Sequence, residues 1–337
     1  MSTPLLELRN VTKIFGSKGN PTVALDDMTL ALDENVPKII TVAGESGSGK
    51  TTMGMLLLGF YEPTWGQVLF RGRPLSKLKG ADLFQFRREI QAVFQDPFAV
   101  YNPFYKVDNL LSIPIKNFKL AHSSSEAREL MEGALERVGL RPEETLGRYP
   151  HQLSGGQRQR IAVARALLLK PKLLITDEPV SMVDASLRST ILKALRGLNQ
   201  ESGTPIFYIT HDLTTAYHIS DYIIILYRGS VMEAGNVDTI IRNPKHPYTQ
   251  LLVSSIPWPD PDLAWGGGEE MIQSSQVAFQ VITGCRFAPR CPYRMDICDT
   301  KPPSLFSLER DHAAACYLYR DNESVVREEL ASVFVEA

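Results

Sequence analysis

A glycine-rich loop at residues 44–51 constrains the fold of this chain more than any other feature. The loop reads Gly-Glu-Ser-Gly-Ser-Gly-Lys-Thr and fits the pattern G-x-x-x-x-G-K-T in full. A β-branched run at residues 38–43 precedes it, and a helical pattern at residues 51–58 follows it. Glycines let consecutive backbone N–H groups converge on phosphate oxygens, and a helix N-terminus adds partial positive charge. The sequence therefore predicts a phosphate-binding strand–loop–helix unit.

The same loop predicts which side chains hold a nucleotide. Lys50 would supply a compact cation to the β- and γ-phosphates, and the Thr51 hydroxyl would bind Mg²⁺. A nucleoside triphosphate with Mg²⁺ is therefore the expected ligand. The predicted nucleotide-binding residues of this segment are Gly44, Glu45, Ser46, Gly47, Ser48, Gly49, Lys50, Thr51 and Thr52.

Two adjacent acids, Asp177 and Glu178, end an apolar run at residues 173–176. We expect Asp177 at the carboxyl end of a buried strand, facing the phosphate loop, where it would hold Mg²⁺. Glu178 points in another direction and could reach the attacking water. A solvated turn is the alternative interpretation. Beside a complete phosphate loop, however, the pair favours hydrolysis over binding alone.

Strand and helix patterns alternate from residue 155 to residue 234, which favours a mostly parallel sheet covered by helices. Residues 96–150 differ, because Pro97, Pro103 and Pro114 interrupt the first half and a helix pattern returns only after Ser123. We interpret this region as a helical insertion. The predicted fold class is α/β, and 337 residues suffice for one large domain and a smaller one.

The composition narrows the possible partners. There are 36 basic and 38 acidic residues, and this balance argues against nucleic-acid binding, which needs a basic surface. No apolar run approaches the roughly 18 residues that span a bilayer, and the N-terminus lacks the features of a signal peptide. We therefore expect a cytoplasmic location and a membrane role only through a partner.

Several further motifs, taken in order along residues 5–250, resemble the ATP-binding subunits of ABC transporters. They are Phe15, Gln95 within Phe-Gln-Asp-Pro, Leu-Ser-Gly-Gly-Gln at residues 153–157, Ser-Met-Val-Asp at residues 181–184 and His211. The resemblance implies an ABC-type nucleotide-binding domain that binds ATP. It implies that Phe15 stacks on adenine and that Gln95 senses Mg²⁺ and water and links to the membrane subunit. It also implies that His211 holds the γ-phosphate and water in line.

The resemblance further implies a head-to-tail dimer. Residues Ser154, Gly155, Gly156 and Gln157 would then contact the γ-phosphate held by the other subunit's loop, with Glu178 as the general base. The family usually reads Ser-Ala-Leu-Asp at the interface loop, whereas this chain has Met182 and Val183 at the two middle positions. The aspartate is retained, so we expect catalysis to be retained.

The tail resembles the C-terminal extension of one subgroup, the oligopeptide/dipeptide importers. The resemblance rests on residues 243–249 and 284–292, and it divides the chain into an ABC ATPase domain at 1–250, with the insertion at about 96–150, and an extension at 251–337. Prolines and glycines at residues 257–268 predict a linker or loose meander.

All four cysteines lie in this extension, at Cys285, Cys291, Cys298 and Cys316. Disulfides are disfavoured in a cytosolic protein, so a soft-metal site is the natural interpretation. The spacing lacks the close pairs typical of zinc sites, and iron–sulfur clusters also take four thiolates. Zinc and free thiols stay open as alternatives, while the resemblance favours a 4Fe–4S cluster. His312 lies near Cys316, and we expect it to be solvated rather than a ligand.

The leading hypothesis is therefore an ATP-hydrolysing, energy-coupling subunit of an importer. It would be peripheral to the cytoplasmic face of the cell's inner membrane. Its partners would be a second ATPase subunit, homologous or identical, two transmembrane permease subunits and, indirectly, an extracytoplasmic solute-binding protein. Oligopeptides or dipeptides are the expected substrates, with oligosaccharides as the rival.

The alternative hypothesis is a soluble ABC-type ATPase acting in translation or DNA repair. Translation factors usually carry two such domains and repair ATPases carry long coiled coils, whereas this chain has one domain and no heptad run. Between residues 96 and 114, apolar side chains would either receive the membrane partner or pack the insertion itself. They are Phe98, Val100, Tyr101, Phe104 and Tyr105.

Overall fold

Apolar and β-branched runs form the strands of this computed structural model. The structure describes residues 3–16, 21–96, 100–256, 283–309 and 311–325. Its strands in those ranges are β1 (Leu6–Phe15), β2 (Thr22–Leu32), β3 (Ile39–Ala43), β4 (Trp65–Phe70), β5 (Arg73–Pro74), β6 (Ile90–Val93), β7 (Leu173–Asp177), β8 (Ile206–Thr210), β9 (Tyr222–Tyr227), β10 (Ser230–Asn236), β11 (Leu305–Glu309), β12 (His312–Ala314) and β13 (Ser324–Val325).

Most helices begin at residues that suit a helix N-terminus. For example, the Ser123 hydroxyl accepts a hydrogen bond from the Glu126 N–H at 3.1 Å. The helices of the described ranges are α1 (Lys50–Leu57), α2 (Gly80–Glu89), α3 (Val107–Asn117), α4 (Ser124–Arg137), α5 (Pro142–Thr145), α6 (Gly155–Leu168), α7 (Ala185–Ser202), α8 (Leu213–Ile219), α9 (Val237–Arg242), α10 (Pro247–Ser254) and α11 (Ile297–Thr300).

The chain divides into two compact units. The first unit comprises Met1–Asp33, Ile40–Ser76 and Thr210–Ala337. In it, β1 pairs antiparallel with β2 and β4, and β4 with β5. Strand β3 pairs parallel with β9, and β10, β12, β11 and β13 continue from β9 with antiparallel pairing. Every residue of β3 and β9 is buried, so the phosphate loop follows a strand that lies in the core.

The second unit comprises Glu34–Ile39 and Lys77–Ile209. Its strands β6, β7 and β8 form a parallel ladder, and every residue of β7 and β8 is buried. Helix α6 packs against α3 and α4. This arrangement places the acids that end β7 at the carboxyl edge of a buried parallel ladder, which is where the sequence predicts them.

One prediction about the insertion is wrong. We expected prolines to keep its first half irregular, but α3 runs through Pro114. Proline lacks an N–H and disfavours a helix interior. Here Leu111 and Ile115 are buried on the same helix, so packing outweighs the lost hydrogen bond. Pro114 also lies in the last turn, where its carbonyl still accepts from the Phe118 N–H at 3.0 Å.

The C-terminal residues join the first unit through strand pairing. Strand β12 pairs with β10 over Glu233–Ala314, Ala234–Ala313 and Gly235–His312. The predicted meander at residues 257–268 lies outside the described residues. Over the ranges that the structure describes, each helix is too short or too polar to cross a bilayer.

Candidate functional site

Two glycines hold the phosphate loop close to the neighbouring backbone. Gly44 has a φ of +152°, and a β-carbon there would lie 2.1 Å from the carbonyl oxygen of Leu226. Gly49 has a φ of +107°, and a β-carbon there would lie 2.2 Å from the carbonyl oxygen of Ala24. Only glycine fits either position, so the two close backbone contacts explain why the motif has glycine at both.

Lys50 begins α1 with its side chain folded against the loop. Its ammonium donates to the carbonyl oxygens of Gly44 and Glu45, each at 2.8 Å, and the residue is only 6% exposed. Ser48 is buried too, and its carbonyl oxygen accepts from the Gly229 N–H at 2.8 Å. In this conformation of the loop, the Lys50 ammonium therefore lies against the backbone carbonyl groups of the loop itself.

His211 lies beside the loop within the first unit. A cavity of about 290 Å³ is lined by Gly44, by residues 211–214 and by Leu252, Ser255 and Ile256 of the α10 region. His211 itself is exposed. The next residue, Asp212, caps α8 by accepting from the Thr214 N–H at 2.9 Å. This hydrogen bond fixes the backbone conformation next to His211.

Phe15 belongs to an aromatic pair that the sequence did not predict. Its ring meets the ring of Tyr61 edge to face, with 5.3 Å between the centroids. The Lys13 ammonium lies 4.9 Å from the Phe15 centroid. Phe15 is 36% exposed, so the pair presents a ring to solvent. An exposed ring is what stacking on a base requires.

In the second unit, three of the predicted site residues come together. The Gln95 side-chain amide donates to a carboxylate oxygen of Glu178 at 2.7 Å. Asp177 is 8% exposed at the end of β7. Glu178 follows it with a φ of +46°, a conformation unusual for a residue other than glycine. Its N–H donates to the backbone carbonyl oxygen of Ile209 at 2.9 Å. Strain of this kind is frequent at functional sites.

The turn at residues 153–157 begins α6 with a capping box. The Ser154 hydroxyl accepts from the Gln157 N–H at 3.2 Å, and the Gln157 side chain accepts from the Ser154 N–H at 2.9 Å. A β-carbon on Gly156 would lie 3.5 Å from a methyl of Val183. The turn therefore lies beside the loop at residues 181–184, as expected if both belong to one interface.

Helix α6 also anchors the segment formed by β6 and Phe94, which immediately precedes Gln95. The Gln159 side chain donates to the Phe94 carbonyl at 3.0 Å, and Arg165 donates to the Ala92 carbonyl at 2.9 Å. Burial lowers the pKa of Arg165. Sequence reasoning missed both residues. The available signal was two long polar side chains on an otherwise apolar helix.

Sequence profiles of two families match the chain. The profile described as ABC transporter matches residues 25–181, and that of the oligopeptide/dipeptide transporter C-terminal region matches residues 232–298. YkfD of Bacillus subtilis, named as an oligopeptide transport ATP-binding protein, is 39% identical over 324 residues, which is 95% of this chain and 97% of the relative. The chain belongs to the oligopeptide/dipeptide-type ABC transporter ATP-binding family.

Other comparisons agree with this assignment. OppF of Haemophilus influenzae, an oligopeptide transport ATP-binding protein, is 34% identical over 92% of this chain and 93% of its own length. An ATP-binding cassette solved as a dimer in a post-hydrolysis state with ADP and Pi is 31% identical. It has a TM-score of 0.63 and covers 69% of this chain and 98% of its own. The predicted ABC nucleotide-binding fold is confirmed, and the chain is an ATPase of this family.

The four cysteines of this ABC subunit are near one another. The Cys285 N–H donates to the Cys298 carbonyl at 2.7 Å, and both residues are buried. The pKa of Cys285 is raised to about 11 and that of Cys316 to about 12, chiefly by burial, and charge on the neighbouring cysteines, Cys291 among them, contributes to both increases. Among the described residues, no three histidine, cysteine or acidic side chains are arranged to hold a metal ion.

The expectation that His312 is solvated is wrong. His312 is 1% exposed, and its ring nitrogen Nε2 lies 2.7 Å from a carboxylate oxygen of Glu233, which is fully buried. Glu233 also accepts from the N–H groups of Lys245 and His246, each at 2.8 Å. This buried pair joins β12 to β10 and to the start of α10, so His312 holds the extension in place.

Proposed function

We propose that this ABC subunit hydrolyses ATP to drive the import of oligopeptides or dipeptides. The observation that carries the proposal is that a complete phosphate loop and the C-terminal region of the oligopeptide/dipeptide transporters lie in one chain. Two relatives that match it over nearly their whole length are named for oligopeptide transport. Nothing in those names supports the oligosaccharide alternative or a soluble factor in translation or DNA repair.

In this proposal the loop holds the phosphates of ATP, with Lys50 at the β- and γ-phosphates. Mg²⁺ would be bound by Thr51, Gln95 and Asp177. Their hydroxyl, amide and carboxylate oxygens are the donors that Mg²⁺ prefers, so the residues fit the ion. When bound, Mg²⁺ supplies charge neutralisation between the β- and γ-phosphates.

Glu178 would act as the general base towards the attacking water, and His211 would hold the γ-phosphate and that water in line. The contact between Gln95 and Glu178 supports this role, because a 2.7 Å hydrogen bond restricts where the carboxylate can point. Phe15 would stack on adenine. Residues 154–157 would contact the nucleotide held by a partner subunit.

The test of this assignment is Glu178→Gln. Removing the base while keeping the side-chain shape should lower ATP turnover by roughly 10²–10⁴-fold and leave ATP binding unchanged. Turnover and the ATP dissociation constant would be measured on the full chain. Glu201→Gln, which changes an exposed acid on α7, serves as the control and should match the wild type. Full turnover by Glu178→Gln would contradict the general-base role.

For the partners, we propose a second ATPase subunit, homologous or identical, and two transmembrane permeases that receive solute from an extracytoplasmic binding protein. The chain would lie on the cytoplasmic face of the inner membrane, held there by the permeases. Phe104 is 86% exposed and Tyr105 55% exposed, which supports a docking surface in the insertion. Tyr101 packs inside instead, since its hydroxyl donates to the backbone carbonyl oxygen of Arg158 at 2.7 Å. Phe98 lies outside the described residues.

Membrane fractionation tests the partners. Expressed in its native host, the wild-type chain should sediment with membranes and Phe104→Asp should move to the soluble fraction. Phe84→Asp, at a 48% exposed phenylalanine of α2, is the matched control and should stay with the membranes. A wild-type chain that remains soluble would favour the alternative hypothesis.

For the cysteines, we propose a 4Fe–4S cluster. The donor chemistry fits a soft metal, because four thiols lie near enough to influence one another's pKa. The spacing of the four cysteines lacks the close pairs typical of zinc sites, and iron–sulfur clusters also take four thiolates. When bound, such a group would supply covalent cross-links that stabilise the extension.

Anaerobic purification of the full chain tests the cluster. Iron and sulfide should be present in equal amounts with iron–sulfur absorbance, and Cys316→Ser should diminish both. Arg294→Ala in the same segment should leave them unchanged. Zinc without iron, or four thiols that react freely in the absence of metal, would contradict the cluster and favour the corresponding alternative.

A further inference from the structure

Glu45 of the phosphate loop is contacted by two side chains from the C-terminal part of the chain. The Arg290 guanidinium donates to both carboxylate oxygens of Glu45, at 3.1 and 3.0 Å. The Tyr248 hydroxyl accepts from the Glu45 backbone N–H at 2.9 Å. The Arg290 side chain is 18% exposed and the Glu45 side chain 38% exposed, so the ion pair is partly shielded from water.

The remaining polar group of Glu45 points into the loop. Its carbonyl oxygen accepts from the Lys50 ammonium at 2.8 Å and from the Ser48 N–H at 3.2 Å. One residue therefore connects the C-terminal segment with the lysine of the loop. Any displacement of Glu45 would also displace an oxygen that holds the Lys50 ammonium.

Tyr248 and Arg290 are themselves held firmly. Tyr248 is fully buried, and its ring lies 4.5 Å from that of Tyr227 and 5.4 Å from that of Phe287. The Arg290 guanidinium lies 5.6 Å from the Phe287 centroid and donates to the Tyr227 hydroxyl at 3.3 Å. Aromatic packing and cation–π contact restrict both side chains before they meet the loop.

The backbone around Arg290 is also fixed. Arg290 ends a short 3₁₀ turn at Ala288–Arg290. The Ala288 N–H donates to the Cys285 carbonyl at 3.0 Å, and the Cys291 N–H donates to the Ala288 carbonyl at 3.2 Å. The turn thus spans the first two cysteines, and it sets the direction from which Arg290 reaches Glu45.

We propose that Arg290 and Tyr248 are positioning residues that set the conformation of the phosphate loop through Glu45. ATP affinity then depends on the cysteine-bearing segment, although neither side chain has a part in holding the nucleotide. This inference rests on the proposed function in one respect, which is that the loop binds ATP.

The experiment measures ATP binding and steady-state ATPase activity of the full chain. Arg290→Ala should weaken ATP binding about tenfold and raise KM by a similar factor, with kcat within about twofold of wild type, because a charge-assisted hydrogen bond is lost. Tyr248→Phe removes one neutral hydrogen bond and should weaken binding about fivefold. Arg290→Lys should recover part of the affinity, since a lysine keeps the charge but not the planar geometry.

A double-mutant cycle separates the effect of the Arg290–Glu45 ion pair on the loop from a general loss of stability. Glu45→Gln combined with Arg290→Ala should weaken binding no more than the worse single variant, because both remove one interaction. Arg294→Ala is the matched control, since Arg294 pairs with Asp299 at 2.8 Å in the same segment and should leave ATP affinity unchanged. Unfolding midpoints of all variants report any general destabilisation.

Two results would overturn the positioning role of Arg290. One is an ATP affinity of Arg290→Ala within twofold of wild type, and the other is an equal loss of ATP affinity in Arg294→Ala. Should Arg290→Ala fail to fold, Tyr248→Phe and Glu45→Gln decide, and unchanged affinity in both overturns it. A wild-type chain that does not bind ATP would instead refute the proposed function. The two failures are therefore distinguishable.

Discussion

Gly44 and Gly47 lie in the same loop but face different surroundings. A β-carbon on Gly44 would collide with the Leu226 carbonyl at 2.1 Å, whereas a β-carbon on Gly47 meets nothing within 4 Å. Both have positive φ, so alanine is strained at either position by roughly 1–3 kcal/mol. Only at Gly44 does a clash with the neighbouring strand add to that strain.

We therefore expect Gly44→Ala to lower the free energy of unfolding by about 3 kcal/mol and Gly47→Ala by about 1 kcal/mol. Denaturant unfolding of the two variants measures the difference. Gly47→Ala is the internal control, since it carries the φ strain without the clash. Equal losses in the two variants would show that the Leu226 contact has no energetic weight.

Residues within local motifs were predictable from the sequence, and residues that act across long separations were not. Lys50, Glu178 and Ser154 each lie in a short pattern with its own chemistry. Glu233 offers no such pattern, because its partners, His246 and His312, are 13 and 79 residues away along the chain. A buried carboxylate of this kind is identifiable only when the fold has brought its partners together.

At the scale of elements, α10 begins at a buried histidine. His246 accepts from the Tyr248 N–H at 3.0 Å through its Nδ1, so its ring caps the helix in the neutral form. Burial lowers the pKa of His246 to about 4, although the Glu233 carboxylate opposes the shift. In the unfolded chain the histidine has a pKa of about 6.5.

This difference predicts a pH dependence. Above pH 6.5 both states are neutral at this residue and its contribution to stability is complete. As the pH falls from about 6.5 towards 4, only the unfolded chain gains the proton, so stability declines by up to about 3 kcal/mol. His246→Asn retains a capping oxygen without a titrating ring, so its stability should change less over that range. Unfolding free energies at several pH values measure both, and parallel curves would contradict the prediction.

The helices and strands that have a clear hydrophobic pattern or a helix-capping residue were predicted from the sequence. Those that depend on packing against distant parts of the chain were not. Strands β8 and β9 lie in the region of alternating strands and helices predicted at residues 155–234, and each is an unbroken apolar run. No strand or helix was predicted from the sequence at residues 59–94, where β4, β5, α2 and β6 lie. Strand β6 is only four residues long, and its Ala92 carbonyl accepts from Arg165 of α6, so its position depends on a residue 73 positions away along the chain.

At the scale of the whole molecule, Ser154 is exposed where its capping box begins α6, and Gly155 and Gln157 of the first turn are partly exposed while Gly156 is buried. The N–H groups of such a turn form an anion site. In the proposed dimer this turn serves the nucleotide of the partner, while Glu178 serves the nucleotide of its own subunit. The similarity to cassettes solved as dimers supports this arrangement.

The arrangement predicts that Ser154→Arg acts on the opposite site. The variant's own ATP affinity should stay within about twofold of wild type, while turnover of the assembly falls by roughly 10²–10³-fold, because a γ-phosphate contact is lost. Ser123→Ala is the matched control, since it removes a comparable helix cap on α4 that no nucleotide contacts. If the chain pairs with itself, mixing Ser154→Arg with Glu178→Gln should restore part of the turnover, because one of the two sites in each mixed dimer then keeps both an intact base and an intact turn. Loss of ATP binding in the Ser154→Arg chain alone would mean that the turn serves its own nucleotide.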